Sequence, residues 1–307
     1  MHKSVLLDSC LEYLNLNDKS IVVDCTLGYG GHSSKILESI KKGFLYCFDQ
    51  DIEAINYSKK RLENIDSNFE IIQSNFVNLK EELQKRNIEK VDGILFDLGV
   101  SSPQLDEDYR GFSFHKDAPL DMRMNQTQKL SAFDVVNNYS LDDLVRIFRD
   151  YGEEKYALSI AKKIVSERVN KQIETTLELV EIIKSAVPES YKREKHPARK
   201  VFQAIRIEVN DELNVFESAL KQALELISVG GRVCVITFHS LEDRICKTIF
   251  KEYSAVDKNM AKLPIIPDIY QPKFKVVATI MPNKEELKEN NRSRSAKLRV
   301  IERTREG

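Results

Sequence analysis

The sequence predicts an α/β protein in which a mostly parallel sheet is interrupted by an inserted, all-helical domain. Three observations predict this fold. Strand and helix patterns alternate through the first hundred residues, a helical stretch without strand patterns follows, and strong strand patterns return after residue 230. Strands that alternate with helices are typical of βαβ units, and such units build parallel sheets.

The first part of the sheet domain, residues 1–108, contains four apolar segments with the composition of buried strands. They are Ser20–Leu27, Gly43–Phe48, Glu70–Gln73 and Val91–Phe96. Apolar residues recur at helical spacing between them, which predicts helices at Gly31–Ile40, Ile52–Leu62 and Val77–Arg86. These segments predict a strand-helix alternation that ends at Asp97.

The alternation then stops, which places an insertion at residues 109–200. Ser101–Asn125 has no clear periodicity and predicts a long loop, a feature that is often functional in compact domains. The helices predicted after it are Leu141–Phe148, Glu153–Val169 and Thr175–Ala186.

The second part of the sheet domain, residues 201–307, begins with one long predicted helix, Val201–Ile227, which Gly230-Gly231 ends. A helix is also predicted at Leu241–Tyr253. Three further strands bring the predicted total to seven: Arg232–Phe238, Phe274–Ile280 and Ala296–Glu302.

Composition excludes several classes of protein. The net charge is −1, so the whole chain shows no electrostatic preference for nucleic acid. No run approaches the roughly 20 apolar residues of a membrane helix, and the N-terminus does not resemble a signal peptide. The five cysteines are odd in number and lack C-x-x-C spacing, which argues against disulfides and zinc. We therefore expect a cytoplasmic protein with reduced cysteines, of which Cys25, Cys47 and Cys234 are buried.

A glycine-rich turn follows the first predicted strand in the sequence Thr26-Leu27-Gly28-Tyr29-Gly30-Gly31-His32-Ser33. Glycines at a strand-to-helix turn let the backbone approach a ligand closely. The third glycine of the dinucleotide fingerprint is replaced by Ser33, so the fit to a nicotinamide site is imperfect. A tight turn without a ligand is the alternative.

Acidic residues end three predicted strands: Asp24, Asp49 and Asp97. Ligands of open parallel sheets bind beyond the carboxyl ends of the strands, so we expect these side chains at one ligand-binding edge. Asp49 lies 21 residues after Gly28, where a carboxylate can accept hydrogen bonds from both ribose hydroxyls of an adenosine. Asp51 fits better as the cap of the following helix.

Two other positions at the predicted strand ends have competing interpretations. Phe76 could pack against an adenine, although an isolated aromatic residue is more often part of the core. His239 and Ser240 follow Arg232–Phe238 and could contact a substrate. Ser240 fits better as the cap of the next helix, and a lone histidine such as His239 is more often structural.

Two local basic segments could hold phosphates despite the neutral chain. One contains Lys192, Arg193, Lys195, Arg199, Lys200 and Arg206 with one acid, Glu194, and the other contains Arg292, Arg294, Lys297 and Arg299. Solvated charges are the alternative for each segment. Arg110 and Arg123 in the predicted long loop are further candidates for binding RNA.

Several blocks together resemble the bacterial small-subunit ribosomal RNA cytosine-N4 methyltransferase family (RsmH, also called MraW). The blocks run almost from end to end: HKSVLL at 2–7, TLGYGGHS at 26–33, DLGVSSPQLD at 97–106, RGFSF at 110–114, LDMRM at 120–124, YGEEKYA at 151–157, HPARKVFQAIRIEVNDEL at 196–213, GGRVCVITFHSLEDR at 230–244 and RSAKLR at 294–299. An acid four residues before the first glycine of a G-x-G turn is also usual in methyltransferases of this architecture.

The resemblance implies a class I S-adenosylmethionine-dependent methyltransferase, with a Rossmann-like, mostly parallel seven-stranded sheet and an inserted helical domain. It implies methylation of N4 of a cytidine in the decoding region of 16S rRNA, within the small ribosomal subunit. The cofactor contacts that it implies are Gly30, Gly31, His32, Asp49, Phe76, Asp97 and Gln104.

A separate question is which residues would contact the target amine. The Asp/Asn-Pro-Pro-aromatic motif of many amino-methyltransferases is absent after Asp97, so we expect the following loop, with Ser101 or Ser102, to meet the amine. Asp97 and His239 are the other catalytic candidates. The sequence identifies no general base and leaves the oligomeric state open, with a homodimer as one candidate.

Three other functions compete with this interpretation. A nicotinamide-dependent oxidoreductase is disfavoured by Ser33 and by the lack of an evident proton donor. An RNA-binding assembly factor without activity is disfavoured by the complete set of cofactor positions. Only the family blocks disfavour a methyltransferase that acts on protein or DNA.

Overall fold

The computed structural model describes residues 4–100, 109–194, 196–256 and 264–306. The chain divides into two compact units. We call them the sheet unit, Met1–Gly99 with Leu213–Gly307, and the helical unit, Val100–Glu212.

The sheet unit contains a seven-stranded sheet with the order β3-β2-β1-β4-β5-β7-β6. The strands are β1 (Ile21–Asp24), β2 (Phe44–Asp49), β3 (Phe69–Gln73), β4 (Val91–Asp97), β5 (Ile227–Thr237), β6 (Phe274–Ile280) and β7 (Lys297–Arg303). The first five are parallel, whereas β7 pairs antiparallel with both β5 and β6. The predicted mostly parallel, seven-stranded sheet is therefore confirmed.

Helices of the sheet unit cover both faces of this sheet. They are α1 (Leu7–Leu14), α2 (Gly31–Ser39), α3 (Ile52–Glu63), α4 (Leu79–Gln84), α11 (Glu212–Leu226), α12 (Ser240–Ser254) and α13 (Lys284–Glu289). The first and last of these were not predicted, because α1 buries only Cys10 and Leu14 and α13 buries no side chain. Short helices with so few apolar positions give a weak periodic signal.

Successive residues of the central strands enter two different cores. Val23, Phe48 and Phe96 belong to the apolar cluster on one face, and Val22 and Leu95 to the cluster on the other. A parallel sheet that is buried on both faces has this arrangement. All three cysteines that were predicted to be buried are buried and free, as are Cys10 and Cys246.

The helical unit is built from helices that share one apolar core. They are α5 (Ala132–Asn138), α6 (Leu141–Asp150), α7 (Ala157–Arg168), α8 (Thr176–Ser185), α9 (Glu189–Glu194) and α10 (Ala198–Asn210). Two of them begin with capping boxes, Ser131 with Asp134 and Thr175 with Glu178, which satisfy the first free amides of each helix.

The single long helix predicted at Val201–Ile227 is wrong. Asp211 adopts a left-handed conformation (φ 49°) that divides this stretch into α10 and α11. Val201 and Ile205 of α10 pack in the helical core, so the helical unit extends to Glu212, beyond the predicted boundary at residue 200. The predicted end of the helix at Gly230-Gly231 is also wrong, because β5 already begins at Ile227.

Among the described helices, none combines the length and apolar character that a membrane-spanning segment requires.

Candidate functional site

Carboxylates from three adjacent parallel strands lie at one edge of the sheet, which we call the carboxyl edge. Asp24 and Asp49 end β1 and β2, and Asp97 ends β4. β1 pairs with both β2 and β4, and Asp24 lies opposite Cys47 on one side and Leu95 on the other. The expected common edge is therefore present.

Asp24 is buried and holds the glycine-rich turn in place. Ser33 Oγ donates to its Oδ2 at 2.6 Å, and the Thr26 amide donates to its Oδ1 at 3.0 Å. Burial raises the pKa of Asp24, although the bond from Ser33 and the charge of His32 oppose this. The Ser33 hydroxyl thus stabilises the turn by bonding to Asp24. A glycine, which the dinucleotide fingerprint has at this position, could not make this bond.

The glycines of this turn are required by conformation and by space. Gly30 has a φ of +72° and occupies the N-cap position of α2. A Cβ on Gly31 would lie 1.9 Å from Ser4 Oγ. Ser58 Oγ of α3 donates to the Gly28 carbonyl at 2.7 Å and fixes the other side of the turn.

Asp49 links the glycine-rich turn to the next helix. Its Oδ2 accepts from the Gly28 amide at 2.8 Å, and its Oδ1 accepts from the Asp51 amide at 2.9 Å. Burial raises the pKa of Asp49 to about 6, even though these two bonds favour the ionised form. The Asp51 side chain accepts from the Glu53 amide at 3.1 Å, so its predicted role as a helix cap is confirmed.

His32 is buried between the N-terminal segment and β4. Its Nε2 lies 3.1 Å from the Val5 carbonyl oxygen, and its Nδ1 lies 3.4 Å from Asp97 Oδ2. Burial lowers the pKa of His32, but the contact with Asp97 and the charges of Asp97 and Asp24 outweigh it, so the net pKa is raised. The His32 side chain therefore orients Asp97.

Asp97 retains one oxygen without a hydrogen-bond donor. Its amide donates to Thr26 Oγ1 at 2.7 Å, and its Oδ2 faces His32, but its buried Oδ1 has no partner among the described residues. Buried carboxylate oxygens are rarely left without a donor. A ligand that carries N–H or O–H groups fits this position.

Phe76 starts a short 3₁₀ helix, Phe76–Asn78, directly after β3. Its ring packs edge-on against Phe96 with the ring centroids 5.7 Å apart, and it remains only partly buried. Phe76 is thus part of the core on one side and accessible on another, so the two sequence interpretations are compatible.

His239 follows β5 at the same edge and is itself the N-cap residue of α12, so the prediction that Ser240 caps this helix is wrong. Glu242 Oε2 accepts from the Phe238 amide at 2.7 Å and from the His239 amide at 3.3 Å. Neither ring nitrogen of His239 has a hydrogen-bond partner among the described residues, although Nε2 lies 3.1 Å from Glu242 Oε1. Ser101, Ser102 and Gln104 lie outside the described residues.

Most of the predicted phosphate-binding cations already have partners inside the protein. Arg206 pairs with Glu212 at 2.7 Å, and Lys297 and Arg299 both pair with Asp243. Lys192 contacts Glu189, and Lys200 donates to the Glu153 carbonyl. The Arg193, Arg199 and Arg294 side chains have no hydrogen bond or ion pair in the part of the chain that the structure describes.

Arg110 and Arg123 form bonds within residues 109–125, which we call the loop of the helical unit. Arg110 is 2% exposed and donates to the Arg123 carbonyl at 3.0 Å. Arg123 forms a bidentate ion pair with Asp121, with Nε 2.9 Å from Oδ1 and Nη2 2.7 Å from Oδ2. The prediction of Arg110 as an RNA ligand is therefore wrong, because its side chain is buried. The Arg123 guanidinium is paired with Asp121 but partly exposed, so its role in binding RNA stays a prediction.

Sequence reasoning missed two polar side chains that support these regions. Ser58 lies among the buried residues of α3 with Ala54 and Leu62, and a hydroxyl on a buried helix face is the signal that could have identified it. The side chain of Asn210 bonds to the main chain of the loop. Its Oδ1 accepts from the Met124 main-chain amide at 2.8 Å, and its Nδ2 donates to the Met122 carbonyl at 2.8 Å. No local pattern predicts this bond, since 86 residues separate Asn210 from Met124.

Comparisons with known proteins identify the family of this chain. The model of the MraW methylase family matches residues 1–304. The ribosomal RNA small subunit methyltransferase H of Exiguobacterium sibiricum is 54% identical over 308 residues, which cover 99% of each chain. Among solved structures, an rRNA methylase from Streptococcus thermophilus matches with a TM-score of 0.45 at 14% identity. A putative methyltransferase from Streptococcus mutans in complex with SAH matches with a TM-score of 0.44 at 14% identity. Each match covers 99% of this chain and 99% of the solved one.

Proposed function

This chain belongs to the MraW methylase family, and from this premise we propose that it transfers a methyl group from S-adenosylmethionine to N4 of a cytidine in the decoding region of 16S rRNA. The methyl donor is S-adenosylmethionine, and the substrate is small-subunit ribosomal RNA. We propose further that the RNA is methylated within the small ribosomal subunit.

The residues of the carboxyl edge fit this cofactor. Asp49 can accept hydrogen bonds from the ribose hydroxyls, because a carboxylate has more acceptor sites than its two backbone donors occupy. Asp97 Oδ1 is a buried acceptor that has no donor in the described ranges of the chain. The main chain of Gly30, Gly31 and His32 would approach the cofactor, with Phe76 against the adenine and Gln104 as a further contact. Bound S-adenosylmethionine supplies a methyl group that its sulfonium already activates.

The protein's main contribution to the reaction is orientation. The cytosine amine is a weak nucleophile, because its lone pair is delocalised into the ring. Holding N4 in line with the methyl carbon can recover on the order of 7–11 kcal/mol of the barrier. Hydrogen-bond acceptors near N4 would stabilise the positive charge that develops on the amine.

We assign the contact with the target amine to the carboxyl ends of β4 and β5. Ser101 and Ser102 follow β4 in the sequence, and His239 follows the neighbouring strand β5. The His239 ring contacts Glu242, with Nε2 3.1 Å from Oε1, so the assignment of His239 to the amine rests on its position at the end of β5. A cytosine must be unstacked to reach this edge, which costs a few kcal/mol and least where the strand is already single.

The observation that carries the proposal is that Asp97 Oδ1, at the same sheet edge as Asp49, has no donor among the described residues. The test is mass spectrometry of nucleosides from small-subunit RNA after incubation of the protein with S-adenosylmethionine. One arm contains assembled small subunits that lack the modification, and the other contains free 16S rRNA. We expect N4-methylcytidine at one decoding-region position in the subunit arm. Methylation of another base, or no transfer in either arm, would overturn the proposal.

A further inference from the structure

One surface of the sheet unit combines two tyrosine rings with two exposed cations next to the glycine-rich turn. Tyr57 of α3 is 54% exposed, and its ring centroid lies 4.7 Å from that of Tyr29 in the turn. Lys60 and Arg61 follow on the same helix and are exposed. We call these four residues the tyrosine patch.

The patch is firmly attached to the turn that the cofactor approaches. Arg61 Nη1 donates to the Tyr29 carbonyl at 3.1 Å, and Ser58 between them bonds to the Gly28 carbonyl. A Cβ on Gly30 would also contact Ser58 Oγ at 3.2 Å and Arg61 Cδ at 3.7 Å. The position of Tyr57 relative to the carboxyl edge is thus fixed by direct contacts to the turn.

The charge of this surface is positive. Residues 57–63 contain three cations and one acid, and that acid, Glu63, lies 4.0 Å from Lys59. Lys60 has no ion pair or side-chain hydrogen bond among the residues the structure describes. Tyr57 is thus an exposed aromatic ring with the cation Lys60 one helical turn further along α3.

Aromatic side chains and cations together are the chemistry that binds single-stranded nucleic acid. Bases stack on aromatic rings, and lysine or arginine side chains neutralise the phosphates between them. A target base that leaves its stack also leaves neighbouring bases without a stacking partner, and a ring beside the cofactor turn can replace that partner.

We propose that the tyrosine patch binds a single-stranded segment of the substrate RNA, with one unstacked base on Tyr57 and a phosphate at Lys60. This inference rests on the proposed RNA methyltransferase function and identifies where the strand next to the target base lies. The patch acts on RNA affinity, while cofactor affinity depends on the carboxyl edge.

The test compares variants of the patch with matched variants at the opposite end of the sheet. Tyr57→Ala should raise the Kd for assembled small subunits about fivefold or more, as loss of one stacked base requires, while Tyr57→Phe keeps the affinity. Lys60→Gln should reduce the slope of log affinity against log salt by about 0.7–0.9. Tyr270→Ala and Lys275→Gln are the controls, because Tyr270 is 44% exposed and Lys275 lies on the edge strand β6, and both should leave these values unchanged.

Cofactor titration and thermal melting of each variant separate this inference from the proposed function. If Tyr57→Ala binds S-adenosylmethionine, melts and binds subunits as the unaltered protein does, the patch does not contact RNA, although the proposed methylation stands. An equal loss from Tyr57→Ala and Tyr270→Ala would also overturn the inference. Unaltered protein that binds no RNA would overturn both proposals.

Discussion

The carboxyl edge of the sheet and the loop of the helical unit both hold buried polar side chains, but they differ in what those side chains leave unsatisfied. At the edge, Asp97 Oδ1 lacks a donor among the residues that the structure describes. In the loop, the Asn210 amide bonds to the Met122 and Met124 main chain, and Arg123 is paired with Asp121. Polar groups that bond to each other hold a loop in one conformation, whereas a buried carboxylate oxygen without a donor at the carboxyl ends of parallel strands fits a ligand contact.

This difference distinguishes motif residues that bind a ligand from motif residues that stabilise the fold. Both kinds occur in the blocks that resemble the methyltransferase family, and their residue types alone do not distinguish them. Removing a group of the first kind should change ligand affinity, and removing a group of the second kind should change folding stability.

The largest expected effect is that of Asp97→Ala on cofactor binding. Truncation of a buried charged partner typically loses about 2–5 kcal/mol, which is roughly a 30-fold or greater rise in Kd for S-adenosylmethionine. Isothermal titration calorimetry measures it. Asp243→Ala is the matched control, because Asp243 already pairs with Lys297 and Arg299 and should affect stability only. Equal cofactor affinities of the two variants would contradict the distinction between ligand-binding and fold-stabilising residues.

Asn210→Ala should act in the opposite way, on stability and not on the cofactor. It leaves the Met124 amide and the Met122 carbonyl without partners, at a cost of about 1–3 kcal/mol for each unsatisfied buried group. Urea denaturation followed by circular dichroism measures the loss. An unchanged denaturation midpoint, or a weakened cofactor affinity with unchanged stability, would contradict the structural role of Asn210.

Cofactor affinity should depend on pH through Asp49, whose pKa is raised to about 6 by burial. The ionised carboxylate accepts ribose hydroxyl hydrogen bonds best, so affinity should be full above about pH 6 and fall as the pH drops through this value. The fall approaches about tenfold per pH unit below it. Calorimetry between pH 5 and 8 measures the profile.

Asp49→Asn identifies the group that titrates, since it removes the titration without changing the shape of the side chain. Its affinity should be lower than that of the unaltered protein and flat across this pH range. A fall with decreasing pH that persists in Asp49→Asn would assign the effect to His32, whose pKa is also raised, through its contacts with Asp97.

The smallest expected effects distinguish free from paired arginines in the helical unit. Arg199→Gln should lower the salt slope of RNA binding by about 0.7–0.9, because its side chain has no partner among the described residues. Arg206→Gln should leave that slope unchanged and lower stability, since Arg206 is paired with Glu212 at 2.7 Å. Identical slopes for both variants would mean that pairing does not decide which cations meet RNA.

The sheet and its acidic edge could be predicted from the sequence because their signals are local. The apolar runs that end in Asp49 and Asp97 specify both a strand and the position where it stops, whereas β1 ends at Asp24, inside the predicted run Ser20–Leu27. The division of the predicted long helix at Asp211 could not be predicted, since a left-handed aspartate has no distinctive pattern. The cap at His239 was missed for a related reason, because the serine beside it is the more common capping residue.

The predicted roles of cofactor and substrate residues depended more on the family resemblance. Phe76 and Gln104 would not have been chosen from their patterns alone. The RNA role of Arg110 was wrong because charge alone does not show whether a side chain is buried and bonded within the protein. Pairing of this kind is set by contacts in the folded chain, such as the bond between Asn210 and Met124.

The most direct measurement is a crystal structure with S-adenosylhomocysteine bound. We predict its ribose hydroxyls on the Asp49 carboxylate and one of its N–H groups within hydrogen-bond distance of Asp97 Oδ1. A ligand bound elsewhere, or bound with Asp97 Oδ1 still lacking a donor, would contradict the assignment of the carboxyl edge as the cofactor site.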